Sequence, residues 1–165
     1  MTTQSITLKS FALAAEEGRT RQPLNILGGT EMLVKLTNDD TDGTVAICHE
    51  NVAPMAGPPL HRHSREDEWF YVLEGQITIQ VDGQRIILRA GHSAYAARGT
   101  VHTYQNFGPT AARMLVMFTP GGFQRFFEEL AVLNRGLRAP DLAPVEQLMN
   151  KYGVEVLGPP LSQIA

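Results

Sequence analysis

The 165-residue sequence contains a single cysteine, Cys48, which excludes an internal disulfide. Its place in the strand-like segment 44–49 favours a small buried core residue over a nucleophile. The sequence also has no apolar run long enough to span a bilayer, and residues 1–10 lack the charged and apolar regions of a signal peptide. We therefore expect a soluble, cytoplasmic protein with no membrane partner.

Basic charge is also scarce in this sequence. The chain has 14 Lys and Arg residues against 17 Asp and Glu residues, for a net charge of −3, and it contains no basic block. Because nucleic-acid binding depends on clustered positive charge, no nucleic-acid partner is expected. With 43% hydrophobic and 19% charged residues, the chain can build one core and has little apolar material left for a second.

Short β-branched and aromatic segments, separated by turn signals, make up most of the sequence and are typical of an all-β sandwich or barrel. Asp82-Gly83 indicates a hairpin, because glycine readily adopts the positive φ that such a tight turn needs. The predicted strands are residues 24–27, 31–36, 44–52, 69–74, 76–81, 85–89, 93–96, 102–106 and 113–119.

After residue 122 the apolar residues recur at helical spacing instead. One amphipathic helix is predicted from its apolar positions, which are Phe123, Phe126, Phe127, Leu130 and Leu133. A second is predicted from about Pro144 to Tyr152, with Gly153 as its C-terminal stop. Their apolar faces could pack on the outside of the barrel, or form a lid or a dimer contact. We expect one domain, with a barrel over residues 1–120, including N-terminal strands, and a helical C-terminal extension of about two helices over residues 121–165.

Four residues, His61, His63, Glu68 and His102, are the candidate metal ligands. Alternate side chains of an extended strand share a face, so His61 and His63 point the same way. The polar turn before Glu68 folds this carboxylate back toward them, and His102 on a later strand closes the site from across the sheet. Three imidazoles and a carboxylate suit one divalent transition metal, Fe, Mn, Ni, Co, Cu or Zn, without selecting among them.

Two neighbouring carboxylates, Glu66 and Asp67, are alternative ligands if the turn folds differently. We interpret them as a solvated run of charge, because Glu68 stands at the mouth of the aromatic strand that follows. His49 and His92 are isolated histidines, and we leave them out of the site.

These motifs resemble those of the cupin family. The first family motif corresponds to His61, His63, Glu68 and Gly75. The second corresponds to Gly91, Ala97, Gly99, His102 and Asn106, with Ala97 where the family usually has proline. Met55 stands at the family's leading glycine. The resemblance implies a double-stranded β-helix, the cupin jelly-roll barrel, that binds a metal. The helical tail, which ends in residues 158–161, is similar to that of single-domain cupins likened to quercetin dioxygenases.

The quercetin dioxygenase-like resemblance implies a metal-dependent dioxygenase, an oxidoreductase acting on a small, aromatic or enediol-like organic substrate. Glu68 is then the candidate catalytic residue, either as a ligand or as a general base that swings away from the metal. Two alternatives remain open, a non-catalytic cupin that binds a small molecule or a metal, and a metal-assisted isomerase or decarboxylase.

Strand alternation also predicts which side chains face the substrate. If Glu68 and His102 point inward, so do Phe70 and Tyr104, and we predict that Phe70, Tyr104 and Met117 bind the substrate. An apolar wall favours a flat aromatic or lipophilic ligand over a sugar nucleotide. Trp69 and Tyr71 face the other way, and together with the first twenty residues they are expected to form the contact of a homodimer.

Overall fold

A computed structural model describes residues 10–20, 22–26, 29–136 and 142–164 of the chain. The strands are β1 (Leu24–Ile26), β2 (Thr30–Leu36), β3 (Ala46–Val52), β4 (Pro59–His63), β5 (Asp67–Glu74), β6 (Gln76–Val81), β7 (Gln84–Arg89), β8 (Ser93–Ala96), β9 (His102–Gln105), β10 (Ala112–Thr119) and β11 (Val154–Pro160). The helices are α1 (Gln124–Leu133) and α2 (Leu142–Lys151), and a 3₁₀ turn follows at Leu161–Gln163.

Two antiparallel sheets face each other and enclose the core. One has the strand order β1-β2-β3-β10-β5-β8, and the other has the order β11-β4-β9-β6-β7. This is the jelly-roll barrel that the sequence predicts, and the fold class is confirmed. No helix within the described ranges is both long enough and apolar enough to cross a membrane.

The strands form because apolar residues alternate with polar ones at a period of two. On β10, Met114, Val116 and Phe118 are fully buried, whereas the residues between them are more exposed. The nine predicted strands are confirmed to within about two residues at either end, although residue 27 lies outside the described residues. The predicted hairpin is also confirmed, since Asp82 and Gly83 have φ values of 49° and 80°.

Both predicted helices are present, and the chain then returns to the barrel. Gly153, with φ of 73°, ends α2, and β11 pairs with β4 at the edge of its sheet. The sequence analysis did not predict β11, because Pro159 and Pro160 argue against a strand. An edge strand tolerates proline, since one side of its backbone needs no partner. The C-terminal extension is therefore two helices and a strand.

Candidate metal centre

The four candidate ligands come from three strands and both sheets. His61 on β4 and His102 on β9 are directly opposite each other in one sheet, and Glu68 projects from β5 in the facing sheet. One nitrogen or oxygen atom from each of the four residues lies within 4.8 Å of all the others. Because atoms bound to one ion at about 2.1 Å are at most about 4.2 Å apart, a small contraction would let all four bind a metal.

The outer nitrogen of two imidazoles is tied to the backbone. His61 Nδ1 lies 2.8 Å from the carbonyl oxygen of Pro59, and His102 Nδ1 lies 2.9 Å from that of Thr100. A carbonyl only accepts hydrogen bonds, so each Nδ1 is the protonated donor. Each ring therefore has Nε2 as its other nitrogen, as in ligating histidines whose tautomer is fixed by an outer partner, and Nε2 of His102 lies 2.8 Å from Glu68 Oε2.

The outer partner of the third imidazole is a carboxylate. His63 Nε2 lies 3.3 Å from Glu68 Oε2, and its Nδ1 lies 3.7 Å from Glu66 Oε2. These atoms, His63 Nδ1 and Glu66 Oε2, are buried and make no hydrogen bond in the described part of the chain. Glu66 is 9% exposed, so our interpretation of it as solvated is wrong. Its spacing of three residues from His63 was the signal for this contact.

Asp67, the other alternative ligand, turns away from the cluster. Its carboxylate forms an ion pair with Arg98, at 3.0 Å between Oδ1 and Nε, and also accepts a hydrogen bond from the Arg98 backbone. These interactions hold the Asp67 carboxylate away from the four candidate ligands. The structure therefore brings together the four residues that the sequence analysis selected and leaves Asp67 outside the cluster.

Charges within the cluster are strongly coupled. Burial alone would raise the pKa of Glu68, but interactions with His102 and His63 lower it well below its usual value. Burial and the neighbouring imidazoles lower the pKa of His61 to about 3. Burial also opposes protonation of His63, yet Glu66 and Glu68 raise its pKa to about 9. At neutral pH the cluster of the metal-free chain thus holds an ionised Glu68, a neutral His61 and a protonated His63. A divalent cation would displace the proton of His63, because an imidazole binds a metal only in its neutral form.

A cavity of about 110 Å³ lies against the cluster. His61, His63 and Glu68 form one side of it. The opposite side comes from the two helices, with the apolar residues Phe123, Phe126, Phe127, Leu130 and Met149. The Phe123 ring stands edge-on to His63, with 4.5 Å between the ring centroids. The apolar face of α1 therefore covers the candidate metal centre, which favours the lid over packing elsewhere on the barrel.

The three predicted substrate-binding residues lie in different places. Tyr104 lines the cavity. Phe70 is fully buried beneath it, 5.9 Å from the Tyr104 ring and 6.0 Å from the His102 ring. Met117 is paired with Trp69 and alternates with the inward-facing Phe118, so it faces outward and cannot contact a ligand in the cavity. Strand alternation thus corrects the assignment of Met117.

The sequence analysis missed one further residue of the cavity. Glu50 on β3 is 2% exposed and lines the cavity. Tyr104 donates a hydrogen bond of 2.5 Å from its hydroxyl group to Glu50 Oε2. The only signal in the sequence was a charged residue at an inward position of β3, whose other inward residues are apolar.

Comparison with known proteins gives a family match over the centre of the chain. The Cupin domain family profile matches residues 48–118, a segment that includes all four candidate ligands. Quercetin 2,3-dioxygenase of Bacillus subtilis is 39% identical over 70 residues, which are 42% of this chain and 20% of that protein. The aligned segments cover less than half of each curated relative that matches.

Solved structures share the fold. The structure of KdgF from Halomonas sp. superposes with a TM-score of 0.61 at 18% identity, over 71% of this chain and 98% of that chain. An RmlC-like cupin from Shewanella frigidimarina gives a TM-score of 0.58 at 20% identity, over 71% and 96% of the two chains. At these identities the likeness concerns the fold alone.

Proposed function

Because this chain contains a cupin domain built around a buried cluster of three histidines and one glutamate, we propose that it is a metal-dependent dioxygenase. Its substrate in this proposal is a small, aromatic or enediol-like organic molecule. One observation carries the proposal: four buried donor atoms converge beside a largely apolar cavity. Similarity to quercetin 2,3-dioxygenase over 70 residues supports the reaction class.

The residues of the chain can perform the steps that such a reaction requires. A bound divalent metal supplies Lewis acidity and, if redox-active, exchange of electrons with dioxygen. Glu68 is the candidate catalytic residue, because an ionised carboxylate beside the substrate can accept the proton of a hydroxyl group. Phe123 and Phe126 exclude water from that end of the cavity, which strengthens electrostatic interactions between the protein and the substrate.

The size of the cavity bears on the substrate class. A cavity of roughly 150 Å³ in another protein holds benzene, and the present one is about 110 Å³. A compact enediol or a single-ring diol therefore suits it better than a flavonoid, which has several rings and would enter only if α1 and α2 moved outward.

Metal analysis tests the first half of the proposal. Protein purified without a histidine tag should contain about one transition-metal ion per chain by mass spectrometry of the elements. His63→Ala should lose the ion, whereas His92→Ala, which changes an exposed histidine outside the cluster, should keep it. Wild-type protein that takes up no metal from any of the six candidate ions would contradict the proposal.

Oxygen uptake tests the second half. Metal-loaded protein should consume dioxygen with catechol-type diols in an oxygen electrode, and His63→Ala should not. Turnover of the same diols under anaerobic conditions would instead favour the metal-assisted isomerase or decarboxylase. Binding of diols without any turnover would favour the non-catalytic cupin.

A further inference from the structure

The main chain of Glu50 lies well away from that of Glu68 inside the barrel. On β10, Met114 is the partner of Glu50, and Phe118 is the partner of Glu68. These two paired positions are four residues apart on β10, or about 13 Å along the strand. In addition, β10 lies between β3 and β5 in the sheet. Glu50 and Glu68 nevertheless line the same cavity, so a ligand that fills it has two polar positions to meet.

The Glu50 carboxyl group has one oxygen to offer a ligand. Tyr104, which reaches it from the opposite sheet, donates its hydroxyl to Oε2, and this is the one hydrogen bond to the Glu50 side chain in the described part of the chain. A carboxyl group has bonding capacity on both oxygens. Apolar neighbours such as Ile26, Phe127 and Leu130 line the cavity as well, so an unfilled position beside Glu50 would favour a polar group of the ligand.

The protonation of Glu50 decides what kind of group it prefers. Burial raises the pKa of Glu50 to about 8, with the negative charge of Glu68 adding to the shift and the Tyr104 hydrogen bond opposing it. Because burial is the largest cause and does not depend on the charge of Glu68, the carboxyl group is mostly neutral at neutral pH and can donate a hydrogen bond. A carbonyl oxygen of the ligand is the matching acceptor.

We propose that Glu50, positioned by Tyr104, is a specificity-determining residue that binds a neutral acceptor at the end of the ligand remote from the metal centre. The ligand class is then a single-ring diol with a carbonyl group on the opposite side of the ring. This inference rests on the proposed function in one respect, that the diol end faces the histidine cluster.

A pair of matched probes tests the inference without any turnover. Isothermal titration calorimetry on the Zn²⁺-loaded protein would compare 3,4-dihydroxybenzaldehyde, which has the carbonyl group, with 4-methylcatechol, which has a methyl group in its place. Wild-type protein should prefer the aldehyde, and Glu50→Leu should lower the ratio of the two affinities by about five- to tenfold, the effect of one hydrogen bond. The ratio is compared between variants because the carbonyl group also acidifies the diol and strengthens its binding to Zn²⁺ in every variant. Glu50→Gln, which keeps a donor, should retain the wild-type ratio.

Two further variants separate recognition from a structural role. Tyr104→Phe leaves the carboxyl group without its positioning hydrogen bond and should lower the ratio even if Glu50→Leu does not fold. Glu31→Leu changes an exposed glutamate on the neighbouring strand and should leave the ratio at the wild-type value. If Glu50 only joined the two sheets, its substitution would weaken the binding of both probes equally and leave the ratio of their affinities unchanged.

The inference is overturned if wild-type protein binds both probes equally or binds neither, or if Glu50→Leu keeps the wild-type ratio. Its failure is distinguishable from that of the proposed function. Oxygen uptake without a Glu50-dependent preference would remove the inference alone, and a Glu50-dependent preference without oxygen uptake would remove the dioxygenase alone.

Discussion

At the scale of single residues, Glu66 differs from the other outer partners of the cluster because it is a carboxylate. Contact of such a group with His63 Nδ1, 3.7 Å away, raises the basicity of the imidazole as a ligand. Glu66→Ala should therefore weaken metal binding by about 10–100-fold, measured by competition with a chelator. Glu146→Ala, at an exposed position of α2, is the control, and equal affinity in the two variants would contradict the role of Glu66.

Glu50 should make the stability of the metal-free protein depend on pH. Burial raises its pKa from the ordinary value of 4.5 to about 8 in the folded chain, so folding favours the protonated form. The resulting stabilisation is fully present below about pH 4.5 and is lost as the pH rises toward 8. Glu50→Gln cannot ionise, so it keeps its stability over this range. Between pH 5 and 8 the wild type should lose several kcal/mol of unfolding free energy, and the melting temperature of Glu50→Gln should rise relative to that of the wild type. If the melting temperatures of the two chelator-treated proteins changed with pH in parallel, this would contradict a buried, neutral Glu50.

The sequence predicted the four cluster residues but not Glu66 or Glu50, and the difference is physical. His61 and His63 share a face through local strand alternation, which a sequence displays directly. The burial of Glu66 depends on how its turn packs, and that of Glu50 depends on Tyr104 arriving from the other sheet. Neither the packing of a turn nor a contact between two sheets leaves a periodic trace in the chain.

At the scale of elements, β11 supports the strand that contains two of the candidate ligands. Val154 is opposite His63 and Val156 is opposite His61, so β11 fixes the outer side of β4. Local patterns predicted α1, α2 and the Gly153 stop, whereas β11 contains Gly158 and two prolines and forms only because β4 offers it a free edge. Its existence therefore depends on the tertiary structure.

Val154 and Glu155 give a matched test of β11. Val154 is 6% exposed and lines the cavity, so Val154→Ala should cost about 1–3 kcal/mol of unfolding free energy and weaken metal binding. Glu155 forms an exposed ion pair with Arg62, and Glu155→Ala should cost less than about 1 kcal/mol. Denaturant unfolding compares the two, and equal losses would mean that β11 does not support the site.

At the scale of the whole molecule, the candidate metal centre joins the two sheets. Glu68 belongs to one sheet and the three histidines belong to the other. A metal that binds only the folded chain stabilises it by about 2.7 kcal/mol at a concentration of 100 Kd, which corresponds to a rise of about 5–10 °C in Tm. Thermal unfolding with and without chelator should show this rise in the wild type, and a similar rise in His102→Ala would contradict the site.

The outer face of β5 is the expected contact of a homodimer. Trp69 and Tyr71 stack there with 5.6 Å between their ring centroids, and Leu73 beside them is 43% exposed. Light scattering should give the mass of a dimer for the wild type. Leu73→Asp should lower this mass, whereas Val132→Asp, which changes an exposed residue of α1, should leave it unchanged. The other expected part of the contact is the first twenty residues, of which residues 1–9 lie outside the described residues. A monomeric wild type would contradict the expectation.

The apolar helical wall of the cavity and the candidate metal ligands occupy separate stretches of the chain. All four ligands fall between residues 61 and 102, whereas the helical wall of the cavity begins at Phe123 and ends at Met149. Exchanging the helical tail for that of another protein with the same barrel is thus a route to a new substrate range with the original donor set. A lineage of such proteins can diversify in the same modular way.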